Sequence, residues 1–250
     1  EAVLAVEFFD GAHDRLLDLS RRRIGYRKKI LQTQSGADLV WALRKAGLSL
    51  LTGRKGRAKP MTGIEDTAVR PEQLPAYVAA LQSVMHRVGL EASYYGHAGA
   101  GLLHVRPVVD LHSREDVKKF RHIAKEVSAL IQQFRGSISA EHGVGIARTE
   151  FMPEVLGPDL MSLMTQIKDS FDPHHLFNPG KIIADGRFEI DSDLRARAEL
   201  ALPFEPVLAF SAKDESFVGN LEQCNGCGVC LKHTPTMCPT YIATGEEIMS

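Results

Sequence analysis

The feature that most constrains this chain is a long amphipathic stretch after Ser113. Val117, Phe120, Ile123, Ala124, Val127, Leu130, Ile131 and Phe134 recur at helical spacing and make one apolar face. Ser113 stands at the N-cap position, with Asp116 three residues on in the capping-box pattern. A helix with so continuous an apolar face must bury it against another layer. The neighbouring sequence supplies strands for that layer. Glu91–Val109 reads as two strands joined by the turn Gly99-Ala100-Gly101, and Ile64–Val69 as a short strand.

The rest of the chain fits the same plan. Ala2–Phe9 is an apolar run suited to a buried strand, and Gly11–Arg23 and Ser35–Leu51 read as helices. Thr52–Pro60 is a basic, glycine-rich loop. Pro71 opens a helix running to about Val88, because proline's missing N–H has no partner in a first turn anyway. Ser137–Ala140 is expected as a short strand, with short helices following up to Phe171. The order predicts an α+β fold, with a mostly antiparallel sheet and helices on one face. Residues 1–184 form the first domain on this reading, 185–215 a linker or wrapping segment, and 216–250 the start of a cysteine-bearing unit. Both ends read as cut: Glu1 opens inside the expected strand and no stop signal closes the chain.

Two histidines flank the glycine turn in Gly96-His97-Ala98-Gly99-Ala100-Gly101-Leu102-Leu103-His104. In a hairpin both imidazoles can point to one spot, and glycine both permits the sharp turn and leaves room for a ligand. A third ligand is available in Ser139-Ala140-Glu141-His142-Gly143. Two histidines and a carboxylate suit Zn²⁺ or a similar ion with open positions. The spacing alone favours the plainer reading, two ordinary half-buried strand histidines, because a metal site is recognised by geometry that spacing does not supply.

Three ordered motifs, GHAGAGLLHVRP, SAEHGVGIAR and FDPHHLFNPGKI, resemble the C-terminal half of the FAD-linked oxidases. D-lactate dehydrogenases, the glycolate oxidase D subunit and D-2-hydroxyglutarate dehydrogenases are the nearest members, and the resemblance covers about residues 1–184. It implies that His97, His104 and Glu141 hold a divalent metal (Zn, Mn, Fe or Co) and that His142 is the base. It implies that Asn178 and Lys181 lie at the flavin, and that Arg44, in Trp41-Ala42-Leu43-Arg44, and Lys59 contact the substrate carboxylate. Ala100 and Leu102 replace the Asp and Asn of the commonest form of the first motif. The continuation into LHVRP, with Arg106 as a candidate anion contact, and Glu65-Asp66-Thr67-Ala68-Val69 look like the branch fused to an iron–sulfur domain, although Arg70 stands where that branch often has Pro.

All four cysteines lie together, as Cys224-x2-Cys227-x2-Cys230-x7-Cys238-Pro239. The run resembles the bacterial ferredoxin pattern with a longer last gap. Carried over, Cys224, Cys227 and Cys230 share one [4Fe–4S] cluster and Cys238 serves a second, with the remaining ligands in a run absent here. This chain is therefore expected to complete neither cluster alone. A four-cysteine zinc site fits the spacing less well.

The formal net charge of -1 argues against nucleic acid as a partner. No apolar run approaches the ~20 residues that span a bilayer, and no signal peptide opens the chain. The reading is cytoplasmic, free or resting on the inner face of the membrane. The expectation is a fragment of a flavin-dependent dehydrogenase of D-2-hydroxy acids of the lactate, glycolate or 2-hydroxyglutarate class. The main FAD-binding domain and the rest of the iron–sulfur portion would lie elsewhere, and electrons would pass through clusters to a quinone or protein carrier. The competing classes are an electron-transfer module without chemistry of its own and a metal-stabilised structural domain.

Overall fold

A computed structural model describes residues 2–194, 202–207, 210–224, 228–234 and 237–247. Cys227, and parts of the expected linker and cysteine-bearing unit, lie outside the described residues. The chain divides into two compact units, Glu1–Leu51 and Thr52–Ser250.

The first unit contributes two helices, α1 (Ala12–Arg21) and most of α2 (Gln34–Thr52). The strand expected over Ala2–Phe9 does not form. Among the described residues the segment takes no regular structure and pairs with no strand, and Val3, Leu4 and Phe9 are exposed. An apolar run becomes a strand only where its backbone finds a ladder partner. Its described long-range tie is a side-chain bond, from Trp41 Nε1 to Glu7 Oε2 at 3.1 Å.

The second unit is built on one strand. β4 (Leu102–Val109) pairs antiparallel with β3 (Ala92–His97) along one edge. On its other edge it takes two short strands in succession, β1 (Lys59–Pro60) at its C-terminal end and β2 (Asp66–Ala68) at its N-terminal end. Side chains alternate across the sheet. Leu103, Val105 and Val109 point into the core, where α3 (Leu74–Val88) and α4 (Arg114–Phe134) cover them with Tyr77, Leu81, Phe120, Ile123, Val127 and Ile131. The α+β architecture with an antiparallel sheet is as expected. Tyr77 is fully buried and satisfies its hydroxyl on Thr67 Oγ1 at 2.9 Å; burial pushes its phenol above the usual range. Ser113 caps α4 as predicted, accepting from the Asp116 N–H at 3.3 Å.

Ser137–Ala140 is a turn region. Only Ser137 makes a ladder contact, an isolated bridge to Ala68, because Asp66 captures the N–H groups that follow. Then come α5 (Gly145–Arg148), α6 (Met152–Leu156) and α7 (Pro158–Phe171). The described start of the segment expected as a linker or wrapping segment packs on the domain: Ile190 enters the core, and Arg121 ties Asp191 (2.5 Å) and Glu150 (2.8 Å).

Beyond it lie the short helices α8 (Ser211–Asp214), α9 (Phe217–Leu221) and α10 (Pro239–Thr244). The His112 ring bridges Asp110 (3.0 Å) and Glu222 (2.9 Å), fastening the end of α9 to the sheet domain. No helix among the described residues is long and apolar enough to cross a membrane.

Candidate active site

The face of β4 turned away from α3 and α4 carries Leu102, His104, Arg106 and Val108. The register sets His97 opposite Leu102, Tyr95 opposite His104 and, from β2, Asp66 opposite His104. One side of one sheet thus gathers His97, Tyr95, His104 and Asp66 from three strands.

Two glycines make the hairpin possible. Gly101 has φ +67°, and a Cβ there would strike the Val69 carbonyl oxygen; one at Gly96 would strike the Leu102 carbonyl. The space these two glycines leave is filled by neighbouring backbone, not held open for a ligand. Of the three glycines in the hairpin, Gly99 is the one that faces open space.

Asp66 organises the second half of the site. It is fully buried, and its carboxylate accepts from the N–H groups of Ala140 (2.9 Å), Glu141 (3.0 Å) and His142 (2.8 Å) and from Ser139 Oγ (3.2 Å). Burial alone would raise its pKa; the N–H groups of His142, Glu141 and Ala140, together with the His142 ring, outweigh that and hold it below the usual carboxylate range. The turn it grips delivers Glu141 between the two histidines. Glu141 Oε1 lies 3.7 Å from His97 Nε2, and Oε2 lies 3.5 Å from His104 Nε2.

His142 stacks on His104, with ring centroids 5.0 Å apart and planes within 7°. Its Nδ1 faces Glu65 Oε1 at 3.4 Å. Burial first, then the charge of His142, keep His104 below the usual imidazole range, against the opposing pull of Glu141 and Asp66. A neutral imidazole is the form that ligates a metal.

The donor set fits a divalent ion. Atoms of Asp66, His104, Glu141 and His142 lie within 4.8 Å of one another. Asp66 is committed to its four donors, which leaves His104, Glu141 and His142 of this group; His97, the other expected ligand, lies outside it and approaches Glu141 Oε1 at 3.7 Å. Two atoms at ~2.0–2.1 Å from a tetrahedral ion stand about 3.3 Å apart, close to the 3.5 and 3.7 Å found around Glu141.

The other candidates fall elsewhere. Lys59 pairs with Val109, five residues along β4 from His104, roughly 17 Å at strand rise. Its ammonium donates to the Arg54 carbonyl (2.7 Å) and to Gln223 Oε1 (3.3 Å), and burial draws its pKa down against the pull of Asp214. Arg44 lies on α2, in the first unit. Arg106 is on the site face, 5.6 Å from the Tyr95 ring centroid, with its buried Nε unpartnered.

Asn178, at φ +47°, accepts from Lys181 Nζ at 3.3 Å. Their loop is shaped by Asp172, which accepts from the Leu176 and Phe177 N–H groups (both 2.9 Å). It is pinned back by the bond from the Ile182 N–H to Thr149 Oγ1 (2.9 Å). Cys224 is exposed and Cys230 and Cys238 are partly buried, with Cys238 the residue before Pro239 in the first turn of α10.

Sequence reasoning passed over Glu65, Asp66 and Arg148 as site residues. The signal was available: Glu65-Asp66 sits between Ile64 and Val69 in a strand that reads as buried, and buried carboxylates need partners.

The chain matches the family model described as "FAD linked oxidases, C-terminal domain" over residues 15–182. It is 33% identical over 234 residues to a D-2-hydroxyglutarate dehydrogenase of Pantoea ananatis (strain AJ13355) and 34% over 235 residues to that of Haemophilus influenzae (strain ATCC 51907 / DSM 11121 / KW20 / Rd). Each match covers 91% of this chain and 22% of the relative. A D-lactate dehydrogenase of Archaeoglobus fulgidus (strain ATCC 49558 / DSM 4304 / JCM 9628 / NBRC 100126 / VC-16) is 33% identical over 160 residues, 62% of this chain and 35% of that protein. The chain thus spans about a fifth of the first two relatives. Matches over 91% of the chain necessarily run past residue 182 into the cysteine-bearing stretch.

Proposed function

The chain belongs to the FAD linked oxidases through their C-terminal domain, and from that premise we propose that it is the substrate-side half of a flavin-dependent dehydrogenase of D-2-hydroxy acids. The observation that carries this reading is the placement of Glu141 between His97 and His104, with His142 stacked beside them. A purely structural metal site would be closed by a fourth protein ligand and would need no base next to it.

His97, His104 and Glu141 would hold the divalent ion, which when bound supplies a Lewis acid for the substrate's α-hydroxyl. FAD, held mainly by a domain outside this chain, supplies the hydride acceptor. The chain's own residues do the rest. His142 accepts the hydroxyl proton through the nitrogen turned away from Glu65. Asp66 keeps Glu141 and His142 in place through their backbone N–H groups. Asn178 and Lys181, on a loop fastened to Thr149, would meet the flavin.

For the substrate carboxylate the resemblance nominates Arg44 and Lys59, and the strand face itself offers Arg106, whose forked guanidinium suits a bidentate grip. The product is the 2-oxo acid. The names of relatives, D-2-hydroxyglutarate dehydrogenase and D-lactate dehydrogenase, support a substrate of the lactate or 2-hydroxyglutarate class.

We also propose that Cys224, Cys227, Cys230 and Cys238 belong to an iron–sulfur domain that takes electrons from the flavin toward a quinone or protein carrier. The reach of the long relatives past residue 182 supports this, as does the position of Cys238 before a proline-started helix. Neither cluster is complete within this chain. Iron and acid-labile sulfide well below one cluster in this chain, against two clusters in the full-length protein, is the expected result.

The deciding experiment is dye reduction by the full-length, flavin-loaded protein with a panel of D- and L-2-hydroxy acids. His104→Ala and His142→Ala are compared with wild type, and flavin and metal content are measured in each. A D-hydroxy acid should reduce the flavin. Both substitutions should lower the rate by at least ~10², with metal lost only in the His104 variant. Full activity in both variants, or no active hydroxy acid, would leave an electron-transfer or structural module.

A further inference from the structure

Beneath His142 lies an ion pair that the reading above does not use. Glu65 and Arg148 are 4% and 6% exposed, and Arg148 Nη2 stands 3.4 Å from Glu65 Oε2. That oxygen also accepts from the Gly63 N–H at 2.6 Å. Arg148 Nη1 donates to the carbonyl of Gly143, the residue after His142, at 2.9 Å, and its Nε is buried without a partner. A buried ion pair is a poor source of stability, because desolvation offsets most of the attraction and apolar replacements often do as well. The remaining carboxylate oxygen of Glu65 indicates what the pair is for: it faces His142 Nδ1 at 3.4 Å.

We propose that Glu65, anchored by Arg148, is a positioning residue that fixes the tautomer of His142; this rests on His142 being the base, as proposed above. A neutral imidazole carries one N–H, and a carboxylate facing Nδ1 draws that hydrogen to Nδ1. Nε2 is left with its lone pair, on a side chain that is 43% exposed where Glu65's is 6%. Asp66 is the other carboxylate near Nδ1, but it is farther, at 4.0 Å, and its oxygens already serve four donors. Stacking on His104 resists a ring flip that would exchange the two nitrogens.

In the reaction the substrate O–H breaks and its proton bonds to His142 Nε2. The α-C–H electron pair leaves as hydride to the flavin, and the carbon–oxygen bond becomes a carbonyl. The resulting imidazolium then has Nδ1–H directed at Glu65, the orienting arrangement that serves histidine bases elsewhere.

The test uses the full-length, flavin-loaded protein and follows flavin reduction in single turnover with the best hydroxy acid of the panel. Oxalate affinity, metal and flavin content and melting temperature are recorded beside it. The double variant Glu65→Leu/Arg148→Met removes both charges together, so no lone ion is left in the core. Its reduction rate should fall by about 10²–10⁴, with oxalate affinity within about threefold and metal and flavin content unchanged. Glu65→Gln keeps an acceptor toward Nδ1 and should fall only about tenfold; it also carries the test if the double variant does not fold. Near-wild-type reduction in these variants, or a loss that tracks lost metal, overturns the assignment. His142→Ala, run in parallel, separates the two ideas. If it is inactive while the Glu65 variants are active, only this inference fails; if it is itself fully active, the base assignment fails and takes this one with it.

Discussion

The first 47 residues and the sheet domain that follows have comparable apolar content and opposite fates. Leu39, Trp41 and Leu43 on α2, and Val3, Leu4 and Phe9 before α1, are exposed, and no residue up to 47 is buried among those described. Along α4, residues with the same spacing are buried one after another. The two helices differ in how sharply their apolar residues are gathered on one face, α4 being the more strongly amphipathic, and α4 also has a partner for that face. α4 meets a sheet whose inner face offers Leu103, Val105 and Val109, and closes a core on it. Periodicity states that a face wants to be buried, and a partner decides whether it is.

Four substitutions would break or sharpen this contrast. Phe120 is 2% exposed and fills the space beside Gly63; Phe120→Ala should destabilise the sheet domain by ~3–5 kcal/mol in urea unfolding. Gly101→Ala comes next. At φ +67°, with the Val69 carbonyl against it, a methyl group should cost about 2–3 kcal/mol and weaken metal retention, because the turn spaces His97 and His104.

Asp172→Asn should act through pH. The Lys168 ammonium, with the Phe177 and Leu176 N–H groups, outweighs burial and holds Asp172 down at about 2 from an ordinary 3.8. A depressed folded-state pKa stabilises fully above the unfolded value and is lost as pH falls through the folded one. The wild-type urea midpoint should therefore fall between roughly pH 4 and pH 2 by more than that of Asp172→Asn; parallel curves would remove the role assigned to this carboxylate.

The smallest effect belongs to the first unit. Leu39→Ala, at a position 68% exposed, should change stability by no more than ~0.5 kcal/mol in this chain. A loss near that of Phe120→Ala would show that something covers the α2 face, and the contrast between the two regions would have to be redrawn.

What was legible in the sequence follows the same division. α3, α4, the hairpin and the Ser113 cap could be read because their signals are local: spacing, a capping residue, glycines at a turn. That Glu141 would meet His97 and His104 came from a resemblance, since spacing along the chain does not say which loop crosses which strand. The Ala2–Phe9 strand failed because strand formation depends on a partner elsewhere. The placement of Lys59 at the far end of β4 depends on register, which one sequence does not state. Asp66 was noted only as part of a motif. Its role needs the three backbone N–H groups of residues 140–142 to be seen around it.

β4 is at once the wall of the core and the floor of the site, with Val105 buried on one side and His104 on the other. Each residue shares a rigid pleat with its neighbour, so a change in how the core packs is transmitted to the imidazole. Laboratory evolution of this domain would therefore find few neutral positions along residues 102–109. Selecting for durability there would retune activity, and selecting for a new substrate would draw down durability. Room for independent variation lies in the segments that touch only one side of the strand.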